Sequence, residues 1–260
     1  WLYKQRVDYN HNADIWHFRF HLTEKHLKKI SNQIKNGSYN FQPLIRLKNS
    51  RFDTKSPPRA IWAAEDSLVL KILALKIQPI ISHNFQNLYH LKDTGGLKKA
   101  VSITKQNLSK YKYVFKSDVK SFYQSINHAT VMKISRELIH NKTITKLIQK
   151  SLKRVETWGG LYFEYNKGVP QGSPLSPLLG AIALYPLDQA YQKISGIFYA
   201  RYMDDWVVLC KTRRKLREIV KLTHNIMRQL KFELHPDKTY IGKTDKGFDF
   251  LGYHITADNL

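Results

Sequence analysis

Cysteine is nearly absent from this 260-residue chain: Cys210 stands alone, so no disulfide can close within it. A reducing, cytoplasmic setting is the expectation. Acids are scarce as well, 20 Asp and Glu against 43 Lys and Arg, which leaves a formal net charge of +23. No stretch approaches the roughly 18 uncharged apolar residues of a membrane-spanning helix, so a helical span and a membrane partner are not expected. Ser- or Gly-rich linkers, low-complexity segments and internal repeats are all missing. Any subdivision must therefore arise by packing. The chain opens on Trp1 without an initiator Met, and Trp1 is taken not to be the biological start. His17 and His21 have an H-x₃-H spacing, but no Cys or acid is placed to complete a zinc site with them.

Apolar residues make up 42% of the chain and aromatics 12%, enough to build a core and to exclude disorder as the dominant state. The basic excess is spread over four successive segments (1–60, 61–115, 116–200 and 201–260) and not held in a tail. Such a surface suits a polyanion, and nucleic acid is the natural one. Apolar periodicity predicts helices at 23–36, with Thr23 as N-cap and Gly37 as stop, and at 65–81, perturbed near its end by Pro79. A strand is predicted at 111–119, helices at about 128–140 and 143–154, and strands at 198–202 and 205–210 joined at Met203-Asp204. A helix capped by Thr212 and short strands near 239–242 and 248–255 complete an α+β layout.

Where so few acids exist, their positions are informative. Asp118 lies in an apolar strand, and Asp204 with Asp205 occupy a hairpin tip. An acid pair at a tight turn is commonly only a turn signal. Here the flanking strands are too apolar for a surface hairpin, which puts the turn at the edge of a core. Carboxylates gathered there repel one another unless divalent cations bridge them, and in a basic protein Mg²⁺ for phosphoryl transfer is the matching chemistry.

Tyr202-Met203-Asp204-Asp205 resembles the YxDD signature of reverse transcriptases. Residues 116–123 (KSDVKSFY) resemble the first palm motif of that family, and 168–179 (GVPQGSPLSPLL) its PQG motif. HPDKT at 235–239 and FDFLGY at 248–253 resemble the last two palm motifs of bacterial enzymes related to group II intron reverse transcriptases. The resemblance implies a right-hand polymerase fold, with helical fingers at 1–110 including an N-terminal extension and an antiparallel-sheet palm at 111–260; the family's thumb is expected to be absent from this chain or truncated. It implies two Mg²⁺ ions, with Mn²⁺ as a substitute, on Asp118, Asp204, Asp205 and the backbone carbonyl of Val119. Tyr123 is implied as the steric gate against a 2′-hydroxyl, with Val119 beside the nucleotide and Gln171 touching the nucleotide or template. Lys238 matches the general acid for pyrophosphate, and Arg59, with Lys55 as the alternative, matches the triphosphate-gripping residue. This chain reads RAIWAA at that point and departs from the family's RPLGIP. Gly95, Gly96 and Lys98 resemble a template-contacting segment, which a solvated basic turn explains almost equally well. Gly168, Pro170 and Gly172, together with Tyr202 and Met203, are placed against the duplex, and Phe250, Leu251 and Gly252 form the primer grip.

The implied activity is RNA-directed DNA synthesis from dNTPs on a DNA or RNA primer. The expected partner is a dedicated non-coding RNA, in a stand-alone bacterial enzyme of anti-phage defence, with an oligomer or accessory protein left open. Retron, diversity-generating and intron roles stay open beside the defence role; competing readings of the chemistry are an RNA-binding maturase or scaffold relic, and untemplated or protein-primed synthesis.

Overall fold

The computed structural model describes residues 2–5, 13–46, 60–170 and 172–256. The chain runs through α1 (Leu2–Gln5), α2 (Asp14–His21), α3 (Glu24–Lys35), β1 (Leu44–Arg46), β2 (Ala60–Ile61), α4 (Ala64–Ser82) and α5 (Gly96–Leu108). Next come β3 (Tyr113–Ser117), α6 (Phe122–Ser125), α7 (His128–Leu138), α8 (Lys142–Leu152), β4 (Val155–Trp158) and β5 (Leu161–Glu164). The last stretch holds α9 (Ser176–Ala183), α10 (Tyr185–Gln192), β6 (Ile197–Tyr202), β7 (Asp205–Cys210), α11 (Arg213–Leu230), β8 (Tyr240–Lys243), β9 (Phe248–Phe250) and β10 (Tyr253–Ile255). It is a mixed α+β fold.

Local chemistry explains the helix ends. Thr23 accepts from the backbone N–H of His26 at 3.2 Å to start α3, and Gly37 at φ +64° ends it. Asn127, Asn141 and Thr212 cap α7, α8 and α11 in the same way. Pro79 sits inside α4, three residues before its end, and does not stop it. α9 and α10 were not predicted as helices: Ser176–Ala183 is buried along nearly its whole length, so no polar stripe marks a period.

The central sheet is antiparallel throughout, in the order β6-β7-β3-β8. A second sheet, β2-β1-β4-β5, joins β1 to β4 in parallel across more than a hundred residues of sequence. β9 and β10 form a separate hairpin. One hydrophobic core runs without interruption from Ile30 in α3, through α4 and α7–α10, to Leu230 and Phe232. It buries one face of the central sheet, while a smaller core of α5, β9 and β10 covers the other. The segment before α5 adds to the edge of β6: Leu88 bridges Arg201 in parallel, Tyr89 N–H donates to the Arg201 carbonyl, and Arg201 N–H donates to that of Asn87, each at 2.9 Å.

Candidate active site

Register alone brings the acids together. β3 pairs with β7 so that Ser117 lies opposite Trp206, and Tyr202 pairs with Asp205 across the tight turn of β6 and β7. Asp118, one residue beyond β3, therefore emerges beside the start of β7. Asp118 is buried, and Asp204 and Asp205 are half-buried. Burial raises Asp204 to about 6, helped by the nearby negative charge of Asp118. Burial likewise raises Asp205 to about 7, with Asp118 and Asp204 adding to the rise against the pull of Lys116. The Oδ1 atom of Asp205 is buried without a hydrogen-bond partner.

Lys238 comes from the short turn Pro236–Lys238 and donates from Nζ to Asp118 Oδ2 at 2.6 Å, which holds its ammonium above the usual lysine range. The turn is anchored twice: Ser117 and Thr239 share a hydroxyl hydrogen bond at 2.7 Å, and His235 N–H donates to the Asp118 carbonyl at 2.8 Å. Val119 is buried and bridges Leu234 on the same connection. Tyr123, in α6, points its hydroxyl at Met203 Sδ at 3.9 Å. Burial and the nearby Asp204 push this phenol up to about 12, so it stays neutral.

Gly168 opens the loop before α9. Its carbonyl accepts from His128 Nε2 at 2.7 Å and Arg154 Nη1 at 2.9 Å, while Val169 N–H donates to the Tyr123 carbonyl at 2.7 Å. Pro170 is buried and its carbonyl accepts from Ser176 Oγ at 2.6 Å; Gly172 is exposed at φ +83°. The PQG loop is thus tied by backbone bonds to the element that carries Tyr123. Gly95 and Gly96, both at positive φ, lie at the start of α5, with Lys98 exposed on its first turn, so the segment expected to contact template leads into a helix. Phe250 is buried, and Leu251 and Gly252 form the positive-φ turn between β9 and β10. Arg59, Lys55 and Gln171 lie outside the described residues. His17 and His21 are exposed on α2.

Three residues were not singled out from the sequence. Arg201, in β6, is fully buried and donates from Nε to Asp188 Oδ1 at 2.9 Å, with its Nη2 also on that carboxylate. Its Nη1 donates to the Met203 carbonyl at 2.6 Å, and Tyr199 OH donates to Asp188 at 2.6 Å. On the other side of the turn, Met203 N–H donates to His90 Nδ1 at 2.9 Å, and His90 Nε2 lies 3.2 Å from the Pro177 carbonyl. Burial, with Arg201 nearby, pushes His90 down to about 3, so the ring is neutral with its proton on Nε2. A lone Arg in an apolar strand and a lone Asp in an apolar helix were the available signal for the first two. His90 had none, because its contact spans 113 residues.

The all-oxygen donor set fits a hard divalent cation. Among the described residues no three acid, His or Cys side chains converge tightly enough to ligate an ion unaided. What fits is the orphaned Asp205 oxygen and the mutual repulsion that raises Asp204 and Asp205. A Mg²⁺ ion characteristically takes one or two carboxylates and completes its shell with water and substrate phosphates.

The reverse transcriptase (RNA-dependent DNA polymerase) family profile matches residues 48–255. Protein YkfC of Escherichia coli is 25% identical over 269 residues, covering 88% of this chain and 71% of that protein. The group II intron-encoded protein LtrA of Lactococcus lactis is 24% identical over 307 residues, covering 90% of this chain and 50% of its own length. Among solved structures, telomerase from Candida albicans in complex with a fragment of telomeric RNA superposes with a TM-score of 0.62 at 14% identity, over 91% of this chain and half of that one. That similarity concerns the fold. With the profile spanning most of its length, the chain belongs to the reverse transcriptase, or RNA-dependent DNA polymerase, family.

Proposed function

We propose that this protein copies RNA into DNA by adding dNTPs to a primer 3′-hydroxyl at Asp118, Asp204 and Asp205. The observation that carries the reading is the meeting of these three acids at adjacent strand ends, with Lys238 bound to Asp118 at 2.6 Å. Asp118 and Asp204 would hold the divalent cations, with Asp205 in support. When bound, such ions lower the pKa of the primer hydroxyl and neutralise the leaving pyrophosphate. Lys238 stands on the Asp118 side as a cation able to give a proton to that leaving group. Tyr123, backed by Phe122 with ring centroids 5.2 Å apart, presents the ring that excludes a 2′-hydroxyl. The β9–β10 turn supports the primer end, and Gly168, Pro170 and Gly172 let backbone approach the nascent pair. Residues 1–110 serve as fingers and 111–260 as palm.

Primer extension on an RNA template with Mg²⁺ and dNTPs tests the reading. Asp204→Ala with Asp205→Ala is expected to abolish product while the protein stays folded, and surviving activity would assign the chemistry elsewhere. The same comparison separates a polymerase from an RNA-binding relic. As a finer role, the protein would copy a dedicated non-coding RNA during phage infection. Sequencing the RNA and cDNA that co-purify from infected cells tests it, and recovery of no recurrent RNA would dismiss it.

A further inference from the structure

Between Leu138 and Val155 the chain holds no acid and five Lys or Arg residues. Four of these, Lys146 and Lys150 on α8 and Lys153 and Arg154 just beyond it, face a cavity of 390 Å³ between α8 and the loop ahead of β1. No acid lines it. A second cavity of 190 Å³ shares Asn40 with the first and continues to Lys29 on α3; its one acid, Glu65, is already held by His26 at 2.8 Å. The groove is built, not incidental. Lys150 Nζ donates to the Tyr39 carbonyl and to Asn40 Oδ1, each at 2.8 Å. Where α3 ends, the Lys146 stem passes so close to Gly37 that a Cβ there would lie 3.4 Å from it.

Among the described residues, Lys29, Lys146 and Lys153 make no side-chain ion pair or hydrogen bond. Unneutralised cations sharing a concave surface favour an anion. Phe41, half-buried on the same wall and packed edge-on against Trp62 at 5.6 Å, adds an aromatic face. Two joined cavities with interleaved cations and an aromatic suit a strand with repeating phosphates and unpaired bases better than a single small anion. None of the catalytic acids lines either cavity. Arg154 nevertheless reaches from the wall to the Gly168 carbonyl at 2.9 Å.

We propose that the two cavities that meet at Asn40, one against α8 and one against α3, form a second nucleic-acid site, binding an unpaired phosphodiester strand outside the catalytic centre and touching the PQG loop through Arg154. The proposal rests on the polymerase reading only in supplying such a strand, as the unpaired flank of the template or as released product.

The test uses the intact chain and a short, unstructured, unprimed oligonucleotide made as RNA and as DNA, with binding followed by fluorescence anisotropy across salt. For Lys146→Glu with Lys153→Glu, two lost phosphate contacts should lower the log–log salt slope by about 1.4 and weaken binding about tenfold near physiological salt. Single-nucleotide extension of a primed duplex whose template overhangs by one nucleotide should keep its kcat, which separates failure of this site from failure of the polymerase. Lys146→Gln with Lys153→Gln gives a milder form should the Glu pair unfold. Tighter RNA binding identifies the template flank as the ligand, and tighter DNA binding the product. The proposal is overturned by an unchanged slope, or by an equal loss in the control pair Lys211→Glu with Lys221→Glu. Displacement of the strand by inorganic pyrophosphate at concentrations too low to act as salt would also overturn it, by marking a small-anion site.

Discussion

Met203, between the end of β6 and the acids Asp204 and Asp205, sits at φ +56°, a conformation that costs a non-glycine residue about 1–2 kcal/mol. Both of its backbone polar groups are held, the N–H by His90 and the carbonyl by Arg201. His90→Phe leaves that N–H without its partner, a loss of about 1–3 kcal/mol. His90→Asn retains an acceptor near the Nδ1 position. Thermal melts and single-nucleotide extension should therefore rank Asn above Phe, with kcat falling more than the KM for dNTP; a Phe variant at wild-type kcat would show that the turn holds itself. At Tyr123 the expectation concerns selectivity. Tyr123→Ala should raise ribonucleotide incorporation relative to deoxyribonucleotide by about tenfold or more, measured as the ratio of kcat/KM, and an unchanged ratio would remove Tyr123 as the gate.

Elements differ in how plainly the chain announces them. α3 and α11 are legible because each is capped by Thr and keeps one apolar face, and β6 and β7 because they are apolar on both sides of a short turn. α9 and α10 are illegible for the opposite reason, burial without a polar stripe. The parallel pairing of β1 with β4 depends on partners too distant for any local pattern. For the candidate site, the acids, Tyr123 and Lys238 could be read from motifs. His90 could not, and for Arg201 and Asp188 a charge amid apolar residues marks the position but not the role, since what all three hold is set by packing. Gly168 illustrates an element's demand on one position: it lies at φ +82°, and an added Cβ would stand 3.0 Å from the Gln124 carbonyl oxygen. Gly168→Ala is expected to destabilise by about 1–3 kcal/mol and to reduce extension, through displacement of the loop that bonds Tyr123. Denaturant unfolding beside an activity assay checks both, and a stable, inactive variant would separate the loop's role in catalysis from its role in folding.

At the scale of the whole molecule, the +23 charge surrounds a site whose own acids are raised by burial. The sign of the pH effect follows. Asp204 and Asp205 hold protons in the folded state up to about 6 and 7, whereas the unfolded chain releases them near 4. Their contribution to stability is full below about pH 4 and is lost as pH rises through 6 to 7 when no divalent cation is present. Adding Mg²⁺ should therefore raise the melting temperature more at alkaline than at mildly acidic pH. In Asp204→Asn with Asp205→Asn, both the pH slope and the Mg²⁺ effect should flatten, and persistence of either would place its origin outside this pair.

The chain spans 71% of YkfC and half of LtrA, and within that span the segment ahead of α5 is bonded directly to β6. That bonding bears on motion. Closure over a substrate in enzymes of this size proceeds in microseconds to milliseconds about a few hinge residues. With Asn87 and Tyr89 sharing peptide hydrogen bonds with Arg201, residues 87–108 should travel with the catalytic strand, which places any hinge earlier in the chain. The amides of Tyr89 and Arg201 should then exchange with deuterated solvent as slowly as those of β7. Fast exchange at Tyr89 alone would mean that this seam opens each time the site does.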